Sequence, residues 1–219
     1  YLKVKMQKGC GHAMKNIFNV DNKFFSFMNK VADIMILNVL FIITCLPLIT
    51  IGTSLIALYS VTLKQSSGTS SYIVREYFHA WKENIRQGTL LWGFSLLVFL
   101  LLFMNLIVST AGIVSLIIHF VMFLSLVLYT MITLYAFPLL AKFDNTLKHT
   151  IVNAFLMSLK HFLTTCMLFG TAAFFVYITI FYPSMFKLAT MGWFFFFFAL
   201  IARIQSTFLN KIFNRYIHR

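Results

Sequence analysis

The stretch YFHAWKENIRQ, residues 77–87, separates two almost wholly apolar segments of this chain. It interleaves charged and aromatic residues. The run that follows it, from Gln87 to Ala141, has 55 residues without a Lys, Arg, Asp or Glu. A helix needs roughly 20 apolar residues to cross a bilayer core of about 30 Å. The run therefore predicts two membrane spans, with the small residues 109–112 as the turn between them.

The composition indicates one transmembrane domain over residues 1–219, with 1–13 as a poorly ordered lead-in. The chain is 60% hydrophobic and 11% charged, against about 45–50% and 25% in ordinary soluble domains. A net charge of +13 would suit a nucleic-acid partner if the basic residues formed a face. They lie instead at the borders of the apolar segments, so we expect no nucleic-acid partner.

The apolar runs predict an all-α, polytopic membrane protein with six transmembrane helices arranged as three hairpins. The block 31–63 is the ambiguous one, because Pro47 can separate two short helices or kink a single one, which would give five spans. With two helices there, the predicted spans lie near 31–46, 50–64, 88–108, 113–138, 162–182 and 188–208.

The positions of the basic residues favour six spans over five. In the six-span arrangement the segments 1–30, 64–87, 139–161 and 209–219 share one side and hold six, four, three and three basic residues. Arg203 lies close to the same side, and only Lys187 falls on the other. Because Lys and Arg concentrate in cytoplasmic loops, this predicts a multi-pass cell-membrane protein with both termini in the cytoplasm.

The stretch 77–87 is then a cytoplasmic segment of an amphipathic helix. Its apolar residues recur every fourth position, at Ile73, Tyr77, Trp81 and Ile85, and charged residues occupy the remainder. This pattern is typical of a helix in the membrane interface. We expect Tyr77 and Trp81 to lie beside lipid headgroups, and Lys82 and Arg86 to face the anionic inner leaflet.

A similar segment recurs before each predicted hairpin. Seventy-eight residues further on, Ile151, Phe155, Leu159 and Leu163 repeat the spacing, and Lys160 matches Lys82. A weaker copy, FSFMNK, occupies residues 25–30. Three parallel units, each an amphipathic cytoplasmic segment followed by a hairpin, are the predicted architecture.

Few residues could carry chemistry. The six histidines and five acidic residues show no metal-ligand spacing, and no nucleophile–base pair or phosphate loop occurs, so we expect no enzyme, no metal and no cofactor. Ionisable residues inside a membrane are candidate sites. Asp33 and Arg203 lie at similar depth on the cytoplasmic side, and Asn38 and Gln205 complete a candidate polar cluster. Asp33 and Arg203 can extend their charged groups to the membrane surface, either separately or as an ion pair with each other. The alternative is that they form a substrate site.

The runs FNVDNKFFSFMNKVADIMILNVLFIITCLPLITIGTSLIALYSVTLK (18–64) and YIVREYFHAWKENIRQGTLLW (72–92) resemble the YesL-like family of bacterial membrane proteins. The elements Asn-x-Phe-Phe (22–25) and Leu-Pro-x-x-Thr-x-Gly (46–52) carry the resemblance, which extends over about 18–212. It implies a Gram-positive protein of uncharacterised function whose gene accompanies carbohydrate ABC importers, and it transfers no active-site residues. The EAA-type loop of ABC permeases is not found in the chain.

These observations lead to an accessory component of carbohydrate ABC-type uptake, with the permease or ATPase subunits as partners. A small-solute transporter or channel is the alternative, although the predicted spans carry few polar residues to line a path. A wet, polar central cavity would favour the transporter, and a packed core would favour the accessory role.

Overall fold

Helices make up almost all of the structure, a computed structural model that describes the backbone of residues 3–68, 72–107, 113–143, 145–181 and 190–217. Side chains are described within these ranges except at 3–23, 105–107, 113–114, 181 and 217. The described residues contain no strand. The helices are α1 (Lys3–Cys45), α2 (Ile51–Ser66), α3 (Ile73–Glu83), α4 (Ile85–Ile107), α5 (Ile113–Lys142), α6 (Leu147–Lys160), α7 (Phe162–Phe181) and α8 (Phe198–Ile217).

The prediction of an all-α protein with six helices able to span a membrane is confirmed. The apolar helical segments are Phe24–Cys45, Leu48–Ser66, Ile85–Met104, Ser115–Lys142, Phe162–Ile180 and Thr190–Tyr216. Compared with the expected spans, the first segment begins earlier and the fourth and sixth end later. Residues 3–13, expected as a lead-in, are part of α1. The expected turns at 109–112 and 182–184 lie outside the described residues.

The block around Pro47 contains two helices rather than one kinked helix. The α region is disfavoured for the residue before a proline, so α1 ends at Cys45 and a 3-10 turn, Leu48–Thr50, leads into α2. Hydroxyl groups bind the carbonyl oxygen atoms that the break leaves without helical partners. Thr50 Oγ1 donates to the carbonyl of Thr44 at 2.7 Å, and Ser54 Oγ donates to the same carbonyl at 3.1 Å.

Helix α3 lies along α2 and runs in the opposite direction. Near one end, Lys64 Nζ is 3.9 Å from Glu76 Oε2. Beyond the other end of α3, Thr53 Oγ1 donates to the carbonyl of Ile85 at 3.4 Å. Gly68, which follows the end of α2, has a φ of +77°, a conformation that glycine adopts without steric penalty.

Two interruptions of the helices are 77 residues apart, one fewer than the 78-residue spacing of the predicted repeat. Asn84 separates α3 from α4, and His161 separates α6 from α7, 77 positions later. The buried residues follow the same spacing, because Tyr77 and Ala80 correspond to Ala154 and Met157. Phe155, Leu159 and Leu163, three residues of the stripe predicted from the sequence, are 37%, 49% and 72% exposed. A repeat of three hairpin units stays a prediction.

The core is formed where α2, α5 and α8 meet. Its fully buried side chains come mainly from the second half of α2, the end of α5 and the length of α8. The stretch WFFFFF (193–198) includes a π-helical turn, Trp193–Phe197, ahead of α8. Its aromatic rings contact other aromatic rings, as Phe197 contacts Phe175, and some of them, such as Phe194, are also exposed.

Candidate functional site

A row of buried polar side chains joins α2 to α8, and we call it the α2–α8 seam; it comprises Tyr59, Thr62, Gln205, Ser206 and Asn210. The Tyr59 hydroxyl donates to Gln205 Oε1. The hydroxyl oxygens of Thr62 and Ser206 are 2.7 Å apart. Asn210 Nδ2 donates to the carbonyl of Leu63 at 2.8 Å and also to Ser66 Oγ. Each member is at most 9% exposed and has a protein partner, so the seam is a packed interhelical network.

The seam also reaches α5 and α7. Gln205 Nε2 donates to the carbonyl of Leu168 at 3.0 Å, and Lys142 Nζ donates to Asn210 Oδ1 at 2.9 Å. Hydrogen bonds of this kind hold membrane helices together where apolar packing alone gives little preference. The seam therefore fixes the relative positions of four helices, and its polar groups are hydrogen-bonded within the protein.

The four residues of the predicted polar cluster do not form one cluster. Gln205 belongs to the α2–α8 seam, whereas Arg203 Nη1 donates to Gln65 Oε1. Asp33 is partly buried, and no ion pair joins it to Arg203, although both side chains lie in the described part of the chain. Arg203 therefore has an amide partner on α2 rather than the carboxylate considered from the sequence.

Asn38, the remaining member, binds the backbone of the π-helical turn. Its Nδ2 donates to the carbonyl oxygens of Trp193 and Phe194 at 2.9 and 2.6 Å, and its Oδ1 accepts from the Ala199 N–H at 2.9 Å. A π-helical turn shifts the helical hydrogen-bond pattern by one residue and frees backbone groups. One fully buried amide on α1 satisfies three of them here.

Tyr77 does not lie beside lipid headgroups, and this part of the sequence prediction is wrong. Its side chain is fully buried, and its hydroxyl oxygen is 2.6 Å from Thr44 Oγ1 on α1. Burial raises the pKa of the Tyr77 phenol. The apolar stripe of α3 packs against α1 and α2. An apolar side chain can be removed from water by a neighbouring helix as well as by lipid, so the pattern alone does not distinguish the two.

The other predicted interfacial residues divide between the two faces of α3 and the start of α4. Trp81 packs against the core, and its buried Nε1 has no hydrogen-bond partner among the described residues. Lys82 and Arg86 are exposed. Their contact with anionic lipid stays a prediction.

A cleft with a basic end lies between α5, α6 and α8, and we call it the α5–α6–α8 cleft. It has a volume of about 720 Å³ and is lined largely by apolar side chains, among them Leu139, Phe143, Leu156 and Met157. A second cavity of about 410 Å³ adjoins the first and shares two lining residues with it. We call this second cavity the basic end of the cleft; it is lined by Lys160, His161, Arg215 and Tyr216. The described lining residues of the two cavities include no carboxylate.

Tyr216 organises the basic end. Lys160 Nζ is 5.2 Å from the centre of the Tyr216 ring, and the Tyr216 hydroxyl oxygen is 3.3 Å from His161 Nε2. Partial burial lowers the pKa of His161, and the positive charges of Lys160 and Arg215 lower it further. Positive potential is therefore concentrated at this end of the cleft.

Neither the seam nor the cleft is evident as a unit in the sequence. A signal for the seam does exist, since Tyr59 and Thr62 lie inside the apolar helix α2, where hydroxyl groups need partners. The cleft has no such signal. Lys160 and Arg215 are 55 positions apart, and each is a basic residue at the border of an apolar segment, as many others in this chain are.

Part of this chain is similar to a known protein family. A family model described as "Protein of unknown function, DUF624" matches residues 34–106, about a third of the chain. The matched segment contains α2, α3, and most of α4, together with Asn38. No curated protein and no solved structure matches the chain. Together with the six apolar helices, the match supports a membrane protein of unknown function.

Proposed function

We propose that this protein is an accessory component of the bacterial plasma membrane that supports carbohydrate uptake by an ABC-type importer. In this proposal it works through contacts with the permease or ATPase subunits and catalyses no reaction. The connection with carbohydrate uptake rests on the resemblance to the YesL-like family.

One structural observation carries the choice of an accessory over a transporter. The polar side chains of the α2–α8 seam are bonded to one another, and the fully buried amide of Asn38 is bonded to backbone. A solute path needs polar groups that can exchange partners with a passing ligand, whereas these groups have protein partners and lie in a packed interior. The cleft and a further cavity between α4 and α5 are lined mainly by apolar side chains.

The outward face of α3 is the surface that we assign to the partner. Arg75 and Lys82 are exposed on it, and Phe78 is 39% exposed between them. The opposite face, with Tyr77, is occupied by α1 and α2. The exposed face thus includes a phenylalanine and an arginine, two residue types that are enriched at protein interfaces.

Crosslinking followed by affinity purification from native membranes tests this proposal. Permease or ATPase peptides should be enriched several-fold over an untagged strain, and Arg75→Glu with Lys82→Glu should abolish the enrichment. Lys148→Glu with Lys211→Glu, which makes the same charge change on exposed positions of α6 and α8, should leave it intact. Repeated purifications that recover no importer subunit would contradict the proposal.

The alternative, a small-solute transporter or channel, has a separate test. Purified protein in liposomes should show no flux of labelled oligosaccharides above that of empty liposomes. Saturable flux would replace the accessory role with a transport role.

A further inference from the structure

We propose that the α5–α6–α8 cleft binds an anionic phospholipid, with the acyl chains against its apolar wall and the phosphate at its basic end. The cleft volume of about 720 Å³ is within the roughly 300–1,000 Å³ of typical small-molecule sites. A lipid fits both parts of the cavity, because its acyl chains match the apolar wall and its phosphate matches the basic end.

The apolar part suits acyl chains. Leu139 comes from the end of α5, Phe143 directly follows that helix, and Leu156 and Met157 come from α6. Leu156 is 56% exposed and Leu159 is 49% exposed, so this wall continues into the apolar outer surface of α6. A chain can therefore enter sideways from the surrounding bilayer without crossing a polar barrier.

The basic end suits a phosphate group. Lys160, at the end of α6, and Arg215, near the end of α8, bring two cations to one small cavity, and Tyr216 adds a hydroxyl. The charges are not neutralised by the described lining, which contains no carboxylate. Burial lowers the pKa of His161, and the positive charges of Lys160 and Arg215 lower it further; an anion bound beside them is attracted by the same two charges.

Position in the predicted topology supports the same occupant. Lys160 and Arg215 belong to segments 139–161 and 209–219, which the charge pattern assigns to the cytoplasmic side. Basic pockets between membrane helices on that side bind anionic lipid headgroups. A soluble phosphate compound would fill the basic end and leave the apolar wall unoccupied.

Photocrosslinking tests the proposal on the full-length protein in nanodiscs. Phosphatidylglycerol with a diazirine in its acyl chain is compared with the matching phosphatidylcholine probe at equal mole fraction, and labelled peptides are located by mass spectrometry. We expect phosphatidylglycerol to label the peptide that contains Leu156 and Met157 at least fivefold more strongly. Equal labelling by the two lipids, or labelling spread evenly over all the helices, would overturn the proposal without any variant being needed.

Two matched variants locate the headgroup. Lys160→Met with Arg215→Met should reduce phosphatidylglycerol labelling to the phosphatidylcholine level. Lys148→Met with Lys211→Met removes two exposed charges from the same two helices outside the lining and should leave labelling unchanged. Circular dichroism establishes that each variant is folded. Unchanged labelling in the first variant would overturn the site, and so would full competition by inorganic phosphate, because a lipid site requires the chains.

Discussion

At the scale of single residues, Asn38 makes three hydrogen bonds to one short segment of the chain. One amide binds two carbonyl oxygens and one N–H of the segment 193–199. Asn38→Leu keeps the size of the side chain and removes all three bonds. Interhelical hydrogen bonds in membranes contribute about 0.6 kcal/mol each on average, so we expect the free energy of unfolding to fall by about 2 kcal/mol.

Reversible unfolding in mixed detergent micelles, followed by circular dichroism, measures this loss. Asn214→Leu is the matched control, because Asn214 is exposed on α8, and it should have little effect. Equal losses in the two variants would show that the amide of Asn38 has no special stabilising role.

Sequence reasoning found Asn38 and Gln205 as residues of interest, because a polar side chain in an apolar helix needs a partner. It could not find the partners. The amide of Asn38 binds backbone atoms, which have no side-chain signature in the sequence. The pairing of Arg203 with Gln65, in place of Asp33, depends equally on how the helices are placed side by side.

At the scale of the helices, the crossing of α2 and α4 depends on two glycines. A Cβ atom on Gly52 would lie 2.5 Å from the carbonyl oxygen of Gly88, and one on Gly88 would lie 2.8 Å from Thr53 Cα. Small residues permit such close backbone approach between membrane helices. Gly52→Ala should therefore force α2 and α4 apart and destabilise the protein by about 1–3 kcal/mol.

Gly93, also on α4, provides the control, since a Cβ atom there meets nothing within 4 Å. Gly93→Ala should be neutral or slightly stabilising, because alanine has the higher helix propensity. Thermal unfolding of the two variants in the same detergent compares them. If Gly52→Ala is as stable as Gly93→Ala, the close crossing is not present in the protein.

The difference between the predicted spacing of 78 residues and the 77 residues between the helix breaks has a physical cause. The sequence comparison aligned Lys82 with Lys160, two exposed residues that packing does not hold at corresponding positions. The buried positions differ in character, because Tyr77 of α3 corresponds to Ala154 of α6. A small buried residue gives no hydrophobic signal, so the face of α6 that packs against the core could be found only from the structure.

At the scale of the whole molecule, the positive-inside pattern predicts that residue 83 faces the cytoplasm. Glu83→Cys, in a background where Cys10, Cys45 and Cys166 are replaced by Ala, introduces one exposed thiol on α3. A membrane-impermeant maleimide should label it only after the cells are permeabilised. Ser184→Cys, in the segment predicted to lie outside, should react in intact cells. Labelling of residue 83 from outside would overturn the predicted orientation.

The number of membrane helices could be predicted from the sequence, but their neighbours could not. Uncharged length and the placement of Lys and Arg determine how often a chain crosses a bilayer. Which face of a helix meets protein is not encoded in this way, since a leucine is equally apolar against lipid and against another helix. Tyr77, assigned to lipid headgroups and found against α1, shows this most directly.

The pairing of α2 with α8 has a consequence for biosynthesis. Tyr59 and Gln205 are separated by 146 positions, and at about 5–20 residues per second a ribosome needs on the order of 10 s to make that length. During this interval the hydroxyl of Tyr59, on the most extensively buried of the six apolar segments, lacks its partner on α8. We expect α2 to stay beside the translocon or an insertion chaperone until the final helix emerges. Chains that stop before α8 should then be removed by membrane proteases rather than accumulate.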